Sequence, residues 1–238
     1  MTKNIFSILF LLPFFSFSQQ DNPALDFLYP SEDIVLKYHD DWGKENYKKV
    51  IKEFKNKPLK LNDIVFLGNS ITSEGNDWSE RLNYPNIKNR GIGGDTSDGV
   101  LARISEIIYF KPIAVFLLIG INDIWNNGSP SIPPPEYIGK NINNIVEFIK
   151  DSSPETKIYV QTILPIEKEI FKESIKKVNQ IIKSNELNKK YEVIDLYSLF
   201  ANENGLMIKE LSTDGIHLNE KGYQKWVEFI KPIVYSLE

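Results

Sequence analysis

The sequence predicts an α/β domain built on a five-stranded parallel sheet, and three observations carry that prediction. Short apolar runs alternate with helical patterns along the chain. One run, AVFLLIG from 114 to 120, is apolar throughout, as suits a strand buried on both faces. Several runs stop at polar, glycine-containing turns, which is where strands of such a sheet hand over to helices.

The expected strands are Asp63 to Gly68, Asn86 to Arg90, Ile113 to Ile119, Lys157 to Leu164 and Glu192 to Leu196. Helical stretches fall near 77–83, 98–110, 135–150 and 168–189, and a last helix starts at about Asn219. The segment 128–137, GSPSIPPPEY, reads as a proline-rich loop that leads into a helix near Glu136. Ahead of the first strand, Trp42, Tyr47, Val50, Ile51 and Phe54 recur at helical spacing, and Pro58 closes that element. With neither an internal repeat nor a linker, the expected division is an N-terminal extension over 19–60 and a domain over 61–238.

The first twenty residues, MTKNIFSILFLLPFFSFSQQ, have a lysine start, a short apolar run and a small-x-small exit at Ser16-Phe17-Ser18. This is the pattern of a signal peptide cut after Ser18, and export to the periplasm or the medium is the expectation. The apolar run is shorter than the roughly 20 residues that span a bilayer, so no membrane insertion is expected once it is removed.

With 238 residues, one core of substantial size is expected. The net charge of −4 argues against a nucleic-acid or anionic-membrane partner, since both require a basic face. The chain contains no cysteine, which removes disulfides, thiol catalysis and thiolate metal sites.

Ligands of an open parallel sheet gather beyond the carboxyl ends of its strands. The first strand there offers Gly68-Asn69-Ser70, the second NRGIGGDTSDG, the third GINDIWNNG. A serine on such a turn is either punctuation or a nucleophile, and a nucleophile needs a base, an orienter for the base and donors for an oxyanion. The chain has two histidines. His39 lies ahead of the first strand, and His217 lies in STDGIHLNEKG with Asp214 three residues before it. A turn through Gly215 can fold Asp214 onto the imidazole, although short acid–histidine pairs also arise simply where a helix begins. GIGGDT offers flexible backbone, with Asp95 expected to cap the following helix. It lacks the third glycine of a dinucleotide loop and follows the second strand rather than the first. Asn122 can present a side-chain amide at the third strand's end, or can be an ordinary turn asparagine. No metal is implied, because the two distant histidines lack a zinc-binding spacing.

In order and spacing, GNSIT, NRGIGGDT, GIND and DGIH resemble the four sequence blocks of the GDSL/SGNH hydrolases, from about Asp63 to the final helix. The resemblance implies a flavodoxin-like three-layer α/β/α sandwich and no cofactor. It implies Ser70 as nucleophile, with Asp214 and His217 completing a triad. It also implies an oxyanion hole from the backbone N–H groups of Ser70 and Gly94 and the side chain of Asn122. The first block usually reads G-D-S, and this chain has Asn69 in place of the aspartate, as does a similar group of exported, carbohydrate-active acetylesterases. The expected activity is hydrolysis of short acyl esters, acetyl foremost, on carbohydrates, with Trp125 offered as a sugar-stacking wall. Three other readings stand beside it: a lysophospholipase-like or platelet-activating-factor acetylhydrolase-like lipid esterase, which GIGGDT also resembles; a carbohydrate-binding domain without catalysis, against which the filled triad positions speak; and a purely structural α/β domain, which the convergence of the turns disfavours.

Overall fold

The computed structural model describes residues 23–125, 132–188 and 190–237. The signal-peptide segment and residues 128–131 of the proline-rich loop lie outside the described residues. The elements in chain order begin with α1 (Asp41–Asn56), β1 (Ile64–Gly68), α2 (Ser70–Ser73), α3 (Trp78–Leu82) and β2 (Ile87–Gly91). Then follow α4 (Ser97–Ala102), α5 (Ser105–Phe110), β3 (Ala114–Leu118), α6 (Ile121–Trp125), α7 (Pro135–Ser152) and β4 (Lys157–Gln161). The last are α8 (Lys172–Asn185), β5 (Glu192–Ile194), α9 (Leu196–Phe200) and α10 (Glu220–Tyr235).

The five strands form one parallel sheet in the order β2-β1-β3-β4-β5. Successive strands are added first to one side of β1 and then to the other, which is the flavodoxin-like order. The reversal lies between β1 and β3, so the crevice for a ligand opens beyond Gly68 and Leu118, which are paired in register. β1 and β3 are buried at every position, as an apolar run in a central strand requires. Phe66, Phe116 and Tyr159 stack ring on ring across three neighbouring strands at 4.8 and 4.7 Å, and Trp78 lies on Phe66 at 4.4 Å. Burial of each such side chain contributes about 1.5–3 kcal/mol.

A second, smaller core joins α1 to this domain. Leu28, Leu36, Tyr47, Ile51 and Phe54 pack there with Ile92, the residue that follows β2. Trp42, which the helical spacing assigns to the same apolar face, is instead 63% exposed. The helix expected over 98–110 is broken into α4 and α5 at Arg103. The Arg103 guanidinium turns inward and donates to Asp95 and to the carbonyl of Gly68. Two buried ion pairs, Arg103–Asp95 and Arg90–Glu106, cross the layer between sheet and helices. Removing one partner of such a pair costs about 3–5 kcal/mol, because a charge is left unpaired in the interior.

Candidate active site

Ser70 is the first residue of α2, immediately after β1. Asn69 caps that helix: its buried side chain accepts from the N–H of Ile71 at 3.1 Å. This acceptor role needs an oxygen and no charge, so an asparagine performs it as an aspartate would. The preceding Gly68 allows the turn to be tight. A β-carbon there would lie 2.3 Å from the Leu118 carbonyl and 2.4 Å from the Thr72 hydroxyl.

The histidine arrives from the far end of the chain. Ser70 Oγ lies 3.0 Å from Nε2 of His217, across 147 residues of sequence. On the other side of the ring, Nδ1 lies 2.8 Å from Oδ2 of Asp214. Oδ1 of the same carboxylate accepts from the N–H of Ile216 at 3.0 Å and of His217 at 2.8 Å. One oxygen thus closes an Asx turn while the other orients the imidazole. Gly215 takes φ +85 in this turn, which is strained for any residue with a side chain. Ser212 fastens it: its hydroxyl donates to the His217 carbonyl at 2.7 Å and accepts from the Gly215 N–H at 2.9 Å. The N–H of Glu167, beyond β4, donates to the Gly215 carbonyl at 2.8 Å and ties the turn to the sheet.

Partial burial raises the Asp214 carboxyl, but the bonds from the His217 ring and from two backbone N–H groups outweigh it and hold the carboxyl below its ordinary range. Asp214 is therefore an anion at neutral pH. Glu74 Oε1 lies 3.8 Å from Nε2 of His217, a second carboxylate that the sequence blocks did not point to.

The remaining candidates lie at the ends of β2 and β3. Asn122 Nδ2 donates to the Asp95 carbonyl at 2.9 Å, which joins the two turns and, among the described residues, leaves one of its hydrogens without an acceptor. Among the described residues, the N–H of Gly94 has no acceptor. Asp95, expected to cap the helix, does not. Thr96 is the cap, and the Asp95 side chain is fully buried against Arg103 with Nε2 of His39 3.2 Å away. A buried guanidinium is the stronger partner for a carboxylate than a helix end, and it holds the turn from beneath. Next to Asn122, the carboxylate of Asp123 is fully buried and accepts from the hydroxyl of Ser97 at 2.5 Å. Burial raises its pKa to about 6, against the lowering effect of its Ser97 bonds. Trp125 ends α6 partly buried, with its ring 5.2 Å from that of Phe171 and Lys168 Nζ 3.9 Å above it.

The arrangement can draw a proton from a serine hydroxyl, hold the resulting imidazolium against a carboxylate, and present amide hydrogens at the strand ends. Among the described residues no group of histidine and acidic side chains is suited to a metal ion, and no helix is long and apolar enough to cross a membrane.

Residues 66–225 match the model of the GDSL-like Lipase/Acylhydrolase family. The chain is 26% identical over 229 residues to platelet-activating factor acetylhydrolase IB subunit alpha2 of Rattus norvegicus, with 92% of this chain and 94% of that protein covered. It is 28% identical over 253 residues to an acetylxylan esterase of Xylanibacter ruminicola, covering 86% of this chain and 50% of that protein. A solved GDSL-like lipase from Bacteroides thetaiotaomicron shares the fold, with a TM-score of 0.68 at 24% identity over 81% of this chain and 98% of that one. Because the family model spans well over half of the sequence, from the first strand into the last helix, the chain belongs to the GDSL-like lipase/acylhydrolase family and is an ester hydrolase.

Proposed function

We propose that this chain is an exported serine esterase that removes short acyl groups, acetyl above all, from carbohydrate esters. The observation that carries the reading is the 3.0 Å separation of Ser70 Oγ from His217 Nε2, with Asp214 2.8 Å behind the ring.

In this reading Oγ of Ser70 attacks the ester carbonyl while Nε2 of His217 takes its proton. The carbonyl oxygen becomes an oxyanion, held by the N–H groups of Ser70 and Gly94 and by the side-chain amide of Asn122. The tetrahedral intermediate collapses, the bond to the alcohol oxygen breaks, and His217 gives its proton to that oxygen. Water, deprotonated by the same ring, then attacks the acyl-enzyme and releases the carboxylic acid and free Ser70.

The acetyl preference draws support from the two curated relatives, whose names both specify an acetyl group although the alcohols differ. The carbohydrate assignment draws support from the acetylxylan esterase, and export from the basic, apolar and small-residue order of the first eighteen residues. A second reading, a lipid acetylhydrolase, is favoured by the relative that matches across 94% of its own length.

The test is a series of nitrophenyl esters from acetyl to octanoyl, run beside acetylated xylan and platelet-activating factor. The expected outcome is turnover that falls steeply beyond four carbons and activity on the acetylated xylan. Faster turnover of octanoyl than of acetyl esters would favour the lipid reading. Ser70→Ala is expected to lose organophosphate labelling and all turnover above background, about 10⁶-fold.

A further inference from the structure

Helix α1 precedes everything that the family model covers, yet it reaches the turn that carries Gly94. Asn46 Nδ2 donates to the Gly93 carbonyl at 2.9 Å, and the Tyr47 hydroxyl to that of Gly99 at 2.8 Å. Behind the turn, Nε2 of His39 lies 3.2 Å from the Thr96 N–H, and Ile92 is buried in the core that α1 builds. The N-terminal segment thus forms the outer wall of the 91–96 turn.

Trp42 stands on that wall. A β-carbon placed on Gly93 would meet its indole ring at 3.0 Å, and one on Gly94 at 3.1 Å, so the ring rests on the glycine pair. The rest of the side chain is open to solvent. Leaving an indole this exposed forgoes much of what burying it would contribute, and a flat apolar surface beside a candidate oxyanion donor is suited to the face of a ring. Trp125, by contrast, carries Lys168 over its ring and Phe171 beside it.

We infer that Trp42 is a specificity-determining residue that packs against a ring in the alcohol part of the ester. The inference rests on the reading of Ser70 as nucleophile and Gly94 as oxyanion donor. The acetyl group has two carbons and is confined to the neighbourhood of Ser70 and the donors. On that reading the alcohol is the part that extends away from Ser70, and the exposed indole in contact with Gly94 is the surface offered to it.

The experiment compares wild type, Trp42→Ala and Trp42→Phe in the full chain on three acetates: a mono-acetylated methyl xyloside, benzyl acetate and ethyl acetate. For Trp42→Ala, kcat/KM on each ring-bearing acetate relative to ethyl acetate is expected to fall about tenfold, through KM rather than kcat, with Trp42→Phe recovering most of it. An equal loss on all three acetates overturns the inference and leaves Trp42 as a support of the turn. A loss that follows acyl length, read by exchanging benzyl acetate for benzyl butyrate, also overturns it and places the indole against the acyl group. Wild type that cleaves benzyl acetate but not the acetylated xyloside defeats the carbohydrate reading alone, because the benzyl-to-ethyl ratio still judges Trp42.

Discussion

The two halves of the site are built in opposite ways. Around Ser70 and Asn122 the supports, apart from the local Asn69 cap, are mostly buried and come from far along the chain: Arg103 donates to Gly68 across 35 residues, Asn122 to Asp95 across 27, and Ser97 to Asp123 across 26. Around His217 the supports are mostly local and largely exposed, apart from the Glu167 N–H that reaches the Gly215 carbonyl. Asp214 bonds three groups within three residues, and Ser212 bonds the His217 carbonyl five residues away. The difference corresponds to two chemical tasks. Donors for an oxyanion act by being fixed before charge develops, and a buried network fixes them. An acid–base residue must gain and lose a proton each cycle, and a carboxylate partly in water tolerates both charge states of its partner.

The comparison can be broken by experiment. The largest effect is expected from Asp214→Asn, which supplies the wrong hydrogen-bonding partner to the imidazole. A kcat loss of roughly 10²–10⁴ is expected, the upper figure belonging to a buried triad aspartate. If steady-state turnover instead stays within a factor of ten, the local turn alone orients His217. Next comes Asn122→Ala, expected to cost about 3 kcal/mol of transition-state stabilisation, near 10²-fold in kcat with KM little changed. Turnover equal to wild type would remove Asn122 from the oxyanion site.

The third prediction contrasts two carboxylates of opposite sign. Burial raises Asp123 from 3.8 to about 6, so it holds its proton more tightly when folded. Its contribution is greatest below pH of about 4 and is lost as pH rises through about 6. Relative to wild type, Asp123→Asn should gain roughly 2–3 kcal/mol between pH 4 and pH 7 in urea unfolding. A difference that does not vary with pH would sink the claim. Asp214, held below its ordinary range, contributes in the other direction: its stabilisation is present above that range and is lost as pH falls.

Much of this was readable residue by residue. Each expected strand lies within one to three residues of an observed one, because apolar runs between polar turns have few other ways to bury themselves. The Asp214-to-His217 turn was legible because its geometry is set by bonds between near neighbours. Arg103 and His39 were not, since nothing in the spacing of Arg103 or His39 says that both meet Asp95 beneath the same turn. The exposure of Trp42 is not legible in the sequence for a related reason. Helical periodicity reports which face a residue lies on, but not where the neighbouring body ends and solvent begins.

By itself, then, the sequence determined the alternation of strands and helices, the serine on its turn and the acid–histidine turn, because short-range hydrogen bonds and burial of apolar runs are local properties. Only the tertiary structure decided that Ser70 meets His217 and that an N-terminal helix walls the Gly94 turn. Both depend on how the strands are ordered and how their faces are covered, which the packing of the whole chain determines.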